Sequence, residues 1–148
     1  MDRQRFEKQL RLDEGVRFVV YHDTRDILTV GIGHKVLNDD NLVLGQRITG
    51  EQIRTFLAQD IDTAIAACEQ LFPEWETFHE TVQEVLVNMC FNLGATGLGK
   101  FRKMRTALEV HDYATAADEM TDSTWYTQVG QRAKRLVTRM RSAQVTQA

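Results

Sequence analysis

Cysteine, proline and uninterrupted apolar sequence are all scarce in this chain. Its 148 residues include two cysteines, Cys68 and Cys90. That is too few for a disulfide-stapled scaffold. Each sits in a helix-like apolar pattern and is expected to be a small core residue, with a disulfide left open. The single proline, Pro73, excludes a proline-rich linker and leaves room for long helices. No stretch approaches the roughly 20 apolar residues that span a bilayer, so no stable membrane association is expected. The segment Met1-Asp2-Arg3-Gln4-Arg5 has no apolar run behind it, so a secretory signal is not expected either. The chain is expected to stay in the cytoplasm where it is made. The four histidines, His22, His34, His79 and His111, lack zinc-site spacing, and no metal or cofactor is expected.

What is present is ordinary globular composition, 43% hydrophobic and 26% charged, which suits one or two small lobes around a modest core. Charge is unevenly placed. Residues 100–148 carry nine Lys or Arg and five Asp or Glu, a balance of +4, against −7 for the remainder, which sums to the net −3. The basic excess includes Lys100, Arg102, Lys103, Arg105, Arg132, Lys134, Arg135, Arg139 and Arg141. It reads either as solvated helix faces or as a positive rim for an anionic polymer. A nucleic-acid partner is not expected, because the net charge is negative and no basic stripe interleaved with aromatics occurs.

The most informative stretch runs from Asp13 to His34. Phe6, Leu10 and Leu12 fall at roughly helical spacing, and Gly15 is a helix stop, which puts Glu14 in the last turn of a first helix. Phe18 to Tyr21 suits a strand, Asp23-Thr24-Arg25-Asp26 a turn, and Ile27 to Ile32 a second strand closed by Gly31 and Gly33. Two carboxylates, Glu14 and Asp23, then sit at the ends of rigid elements, with Thr29 nearby. Taken singly, the Glu is a solvated charge, the Asp a turn cap and the Thr a strand former. Together they have the composition of a glycosidase site. One acid protonates the leaving oxygen, and an ionised partner activates water or faces the positive charge on the sugar.

The stretch resembles the phage-type lysozymes, glycoside hydrolase family twenty-four. The resemblance runs through Asp13-Glu14-Gly15, Tyr21, Asp23-Thr24, Thr29 and Gly31-Ile32-Gly33-His34. It continues through Gln59-Asp60-Ile61-Asp62, Asn88-Met89, Phe91, Gly94, Thr96-Gly97 and Phe101, then Trp125-Tyr126, Gln128 and Arg132-Ala133-Lys134-Arg135. It implies an α+β, mostly α fold of two lobes separated by a cleft. Residues 15–60, approximately, would form a small β-hairpin lobe, and 1–14 with 61–148 a larger helical lobe. Glu14 would be the general acid, Asp23 the carboxylate across the sugar, and Thr29 a holder of the attacking water, with inversion at the anomeric carbon. His34 would pair with Asp60 across the lobes, and Arg132 would stand near Glu14 as active-site support. Phe91 and Lys35 are candidate substrate contacts, against core and surface roles. The family's polar groove positions fall here on Met104 and Glu119, which do not match, and no role is carried to them.

The implied function is a muramidase cutting the β-1,4 bond between N-acetylmuramic acid and N-acetylglucosamine in peptidoglycan glycan strands. It would be a monomeric phage endolysin held in the host cytoplasm until a holin opens the membrane. A lytic transglycosylase, which runs on one acid, and an inert wall-binding or scaffold module are the alternatives.

Further along, Thr49 is expected to cap a long helix beginning near Glu51. The segment after His34 is shorter than the family's, so that region should be trimmed. Phe72-Pro73 breaks the long helix. A core helix is expected from about Glu74 or Thr77 to Leu93, ended by Gly94, with a turn over Thr96–Gly99. Short helices over 101–110 and 113–120, the second capped by Asp112, precede a Ser123-capped short helix bearing Trp125 and Tyr126. A last helix is expected over Gln131–Met140, with a frayed polar tail beyond Ser142.

Overall fold

The computed structural model describes residues 1–147. It is mostly helical with one small antiparallel sheet, an α+β architecture. The chain divides into two compact units, Arg3–Thr63 and a second that comprises Met1–Asp2 and the chain from Ala64 onward.

The first unit opens with α1 (Arg3–Glu14), whose buried residues are Phe6 and Leu10. Arg3 anchors this helix, donating from Nη1 to Asp62 Oδ1 at 2.7 Å and from Nη2 to the Ala58 carbonyl at 2.9 Å. The chain leaves α1 at Gly15 and enters β1 (Arg17–His22), which pairs antiparallel with β2 (Leu28–Gly31). A third strand that the sequence did not announce, β3 (His34–Lys35), pairs with β2. The other edge of β1 is occupied too: Val20 and Ile48 donate to Gln46 and Phe18 carbonyls, and Gly45 donates to that of Val20. β1 therefore has hydrogen-bonded neighbours on both sides. A short 3-10 turn, Asn38–Asp40, lies in the connecting loop.

Next comes α2 (Gly50–Leu71), which starts in the first unit and ends in the second. Its start is a reciprocal cap. Gln52 N donates to Thr49 Oγ1 at 3.1 Å while Thr49 N donates to Gln52 Oε1 at 2.8 Å, satisfying two amides that a helix start would otherwise leave unpaired.

The second unit is built on α3 (Glu80–Gly99), which buries Val82, Val85, Leu86, Val87 and Met89. Two expectations are corrected there. The helix starts at Glu80 rather than near Glu74 or Thr77, because Trp75–Thr77 forms a separate 3-10 turn and His79 Nδ1 accepts from Thr81 N at the true N-cap. Thr96–Gly99 is helical, not a turn. Gly94 departs from helical geometry (φ 78°, ψ 165°), but the chain then resumes turning, with Leu98 fully buried. The helices α4 (Arg102–Glu109), α5 (Tyr113–Thr121), α6 (Thr124–Val129) and α7 (Gln131–Gln147) follow. Asp112 caps α5 and Ser123 caps α6, each accepting a helix-start amide. Met104 is core.

The expected fraying beyond Ser142 is also corrected: α7 continues to Gln147. Ala143 is buried, and Gln144 Oε1 accepts from the amides of Tyr113 at 2.7 Å and Ala114 at 3.3 Å. A polar-looking tail is held because it satisfies the donors at the start of α5. Cys68 and Cys90 are buried free thiols. Hydrogen bonding to Cys90 and burial push the Cys68 thiol up, so Cys68 keeps its proton.

Candidate active site

Glu14 is the last residue of α1, placed where the helix gives way to the sheet. Its side chain lies over Gly33, the glycine of the β2–β3 turn. A Cβ built on Gly33 would fall 2.8 Å from Glu14 Oε2 and 2.9 Å from its Cδ, and φ there is +67°. Only a residue without a side chain lets the carboxyl pass this close to the backbone.

Asp23 follows β1 and is fixed by the turn it opens. Its Oδ1 accepts from Arg25 N at 2.8 Å and from Ile27 N at 2.9 Å. Its own amide donates to the Ile27 carbonyl at 2.9 Å. Thr29, on β2 and 1% exposed, donates its hydroxyl to that same carbonyl at 2.9 Å. The backbone of one residue, Ile27, thus holds both side chains. Thr29's proton is committed, and its oxygen is left as an acceptor.

Sheet register adds Lys35. Tyr21 is paired with Thr29, and Thr29 with Lys35, so the three share a face. Asp23 lies two residues beyond Tyr21, in the same parity. Lys35 Nζ reaches it across the sheet, 2.9 Å from Oδ2. That hydrogen bond, with those from the Ile27 and Arg25 amides, brings the Asp23 pKa down to about 2. Lys35 therefore touches Asp23, a contact that sequence reasoning missed when it set substrate binding against a plain surface role. The pairing across β2–β3 carried the signal, and β3 had not been read as a strand.

His34 is buried, with its ring stacked on Phe56 at 4.0 Å and an interplanar angle of 10°. Its Nδ1 lies 2.7 Å from Asp60 Oδ2 and its Nε2 2.8 Å from Asp40 Oδ2. A neutral ring carries one N–H and would turn a lone pair toward the other carboxylate, so the geometry suits imidazolium. Burial pulls the His34 pKa down, but the hydrogen bonds and charges of Asp60 and Asp40 outweigh it, and the net shift is upward. Asp40 was missed. It lies in the polar run Asn38–Asn41, which offered a carboxylate six residues from the histidine, but only the loop geometry brings it back. All of these groups belong to the first unit.

Two expected site residues belong to the second unit. Arg132, buried in the first turn of α7, donates from Nε to Asn88 Oδ1 at 2.9 Å. Phe91, on α3, is half-buried. Among the described residues no group of His, Cys, Asp and Glu could hold a metal ion, and no helix is long and apolar enough to cross a membrane.

A family model described as phage lysozyme matches residues 11–143. The chain is 33% identical over 150 aligned residues to the pre-baseplate central spike protein Gp5 of Enterobacteria phage T4, a match that covers 87% of this chain and 26% of that protein. The chain thus spans about a quarter of the spike protein's length. It is 28% identical to the probable T4-type lysozyme 2 of Dictyostelium discoideum, covering 86% of this chain and 88% of that one. It is 30% identical over 111 residues to the endolysin of Salmonella phage P22, covering 74% of each.

Proposed function

The chain belongs to the phage lysozyme family of lysozyme-type glycoside hydrolases, and from that premise we propose that it cuts the β-1,4 bond between N-acetylmuramic acid and N-acetylglucosamine in peptidoglycan. Glu14 is the general acid that protonates the leaving glycosidic oxygen. Asp23 is the ionised carboxylate on the other face of the sugar. It takes a proton from the attacking water while Thr29 Oγ1 accepts the water's second hydrogen. Attack from the face opposite the leaving group inverts the anomeric carbon. Arg132, His34 and Asp60 support the site, and Phe91 contacts the glycan strand.

The observation that carries this reading is the pinning of Asp23 and Thr29 on the Ile27 backbone. It leaves one carboxylate ionised and one hydroxyl turned into an acceptor. An inert module has no need of either. The likeness to a protein named endolysin supports a place in host lysis. The protein would act as a monomer on the wall from the cytoplasm once a holin has opened the membrane. The likeness to part of a protein named central spike supports a second setting, as part of a virion. Protein found in purified particles rather than in free lysate would favour that setting.

The test compares wild type with Glu14→Gln on outer-membrane-stripped Gram-negative cells, following turbidity and identifying products by mass spectrometry. Clearing by wild type alone, with reducing-end muropeptides, is expected. Anhydro products would make it a transglycosylase. Binding to murein without clearing would make it a module.

A further inference from the structure

The ion pair between Lys35 and Asp23 has features that an ordinary surface pair lacks. Exposed pairs contribute little because two long side chains must be held together in water. Here the Asp23 side chain is 16% exposed and already immobilised through Oδ1. Lys35 is delivered by a strand, with the Tyr21, Thr29 and Lys35 register fixing the distance it must cross. A carboxylate offers about four lone-pair sites. The Arg25 and Ile27 amides take both on Oδ1, and Lys35 takes one on Oδ2. One acceptor direction remains, on Oδ2.

We propose that Lys35 is a positioning residue for Asp23: by occupying one lone pair of Oδ2 it leaves a single direction in which the carboxylate accepts a proton from the attacking water. The proposal rests on the reading of Asp23 as the group that works on water. The cation has two opposite effects. It makes Asp23 a weaker base, which an oxocarbenium-like transition state tolerates because the sugar carbon is already strongly electrophilic. In return it orients the carboxylate and holds it charged to lower pH. The charged side chain acting on Asp23 is Lys35. The other hydrogen-bond donors to its carboxylate are the two turn amides.

The experiment compares wild type, Lys35→Met and Lys35→Arg by pH–rate profiles on murein, and by titration of the Asp23 carboxyl carbon in the NMR spectrum. Loss of an opposite charge at this range raises a carboxyl pKa by about one unit or more. In Lys35→Met the acid limb of kcat/KM and the Asp23 titration should both move up by about that amount. At neutral pH kcat should fall several-fold with KM unchanged. Lys35→Arg should restore the limb. Added salt should raise the Asp23 pKa in wild type and leave it in place in Lys35→Met.

A raised KM with kcat, limb and titration unmoved would overturn the proposal and make Lys35 a substrate contact. A lower melting temperature with the limb and titration in place would also overturn it and leave Lys35 a structural residue. The two readings fail separately. Wild type that releases no reducing ends sinks the hydrolase. An active wild type whose limb ignores Lys35→Met sinks only the positioning role.

Discussion

Gly33 and Glu14 are in contact through an absent atom: a Cβ on the glycine would stand 2.8 Å from the carboxyl oxygen Oε2. The nearest obstacle is the far end of a side chain that can swing. Gly33→Ala should therefore displace the acid more than it unfolds the protein. Gly31 is the internal control. It has the same φ of +67°, and the nearest atom to its Cβ is an Ile53 side-chain carbon at 3.6 Å, ordinary contact. Both alanine variants should lose about 1–2 kcal/mol from left-handed backbone strain. Only Gly33→Ala should also lose on the order of 100-fold in kcat/KM from misplacement. Equal activity losses in the two would remove the steric argument.

The His34 cluster predicts a falling stability curve above neutrality. The folded pKa is raised above the ordinary 6.5, so its contribution is fully present below 6.5 and lost as pH rises through the folded value. Asp40 behaves in the opposite sense. Burial pushes its pKa up, but hydrogen bonds from Leu37 N and His34 outweigh that and the net shift is downward, so its contribution is present above 3.8 and lost as pH falls through the folded value. Urea midpoints should decline from pH 6 toward pH 9 in wild type and stay flat in His34→Asn. Asp40→Ala at pH 6 should cost about 1.5–3 kcal/mol, the range for hydrogen bonds to a charged group. A wild-type profile flat across that window would show that the ring is neutral.

Gln144 predicts that the end of the chain contributes to stability. Its side chain accepts two amides at the start of α5. Gln144→Ala should cost about 1 kcal/mol, as loss of an N-cap does. Truncation after Ser142 should cost more, since it also removes the buried Ala143. Thermal melts of the two variants test this, and truncation without loss would return the segment to the status of a frayed tail.

Periodicity and caps made most of the elements legible in the sequence. The helix stop after Glu14, the Thr49 and Asp112 caps and the Pro73 break are local devices that write themselves into residue choice. Glu14 and Asp23 stood out for the same reason, one at the end of a helix and one in a turn, whereas Thr29 lies inside β2 and was marked only by the resemblance. What stayed hidden depends on pairing over distance. A strand as short as β3 has no periodicity, so neither the Lys35–Asp23 contact nor its electrostatic consequence could be read. Asp40 looked like any loop acid until the chain folded back on His34. The continuation of α7 was concealed because Gln144 is polar by composition, while its role is to satisfy backbone donors elsewhere.

The Ile27 backbone holds Asp23 by both N–H and C=O and Thr29 by C=O, while the Ile27 side chain itself is 40% exposed. All of that work is done by atoms every residue except proline possesses. In a saturation library this position should accept almost any amino acid and reject proline, which lacks the N–H. Lineages of this family could drift freely at the one residue on which two neighbouring functional groups depend. A search for important positions by their constancy would pass over it.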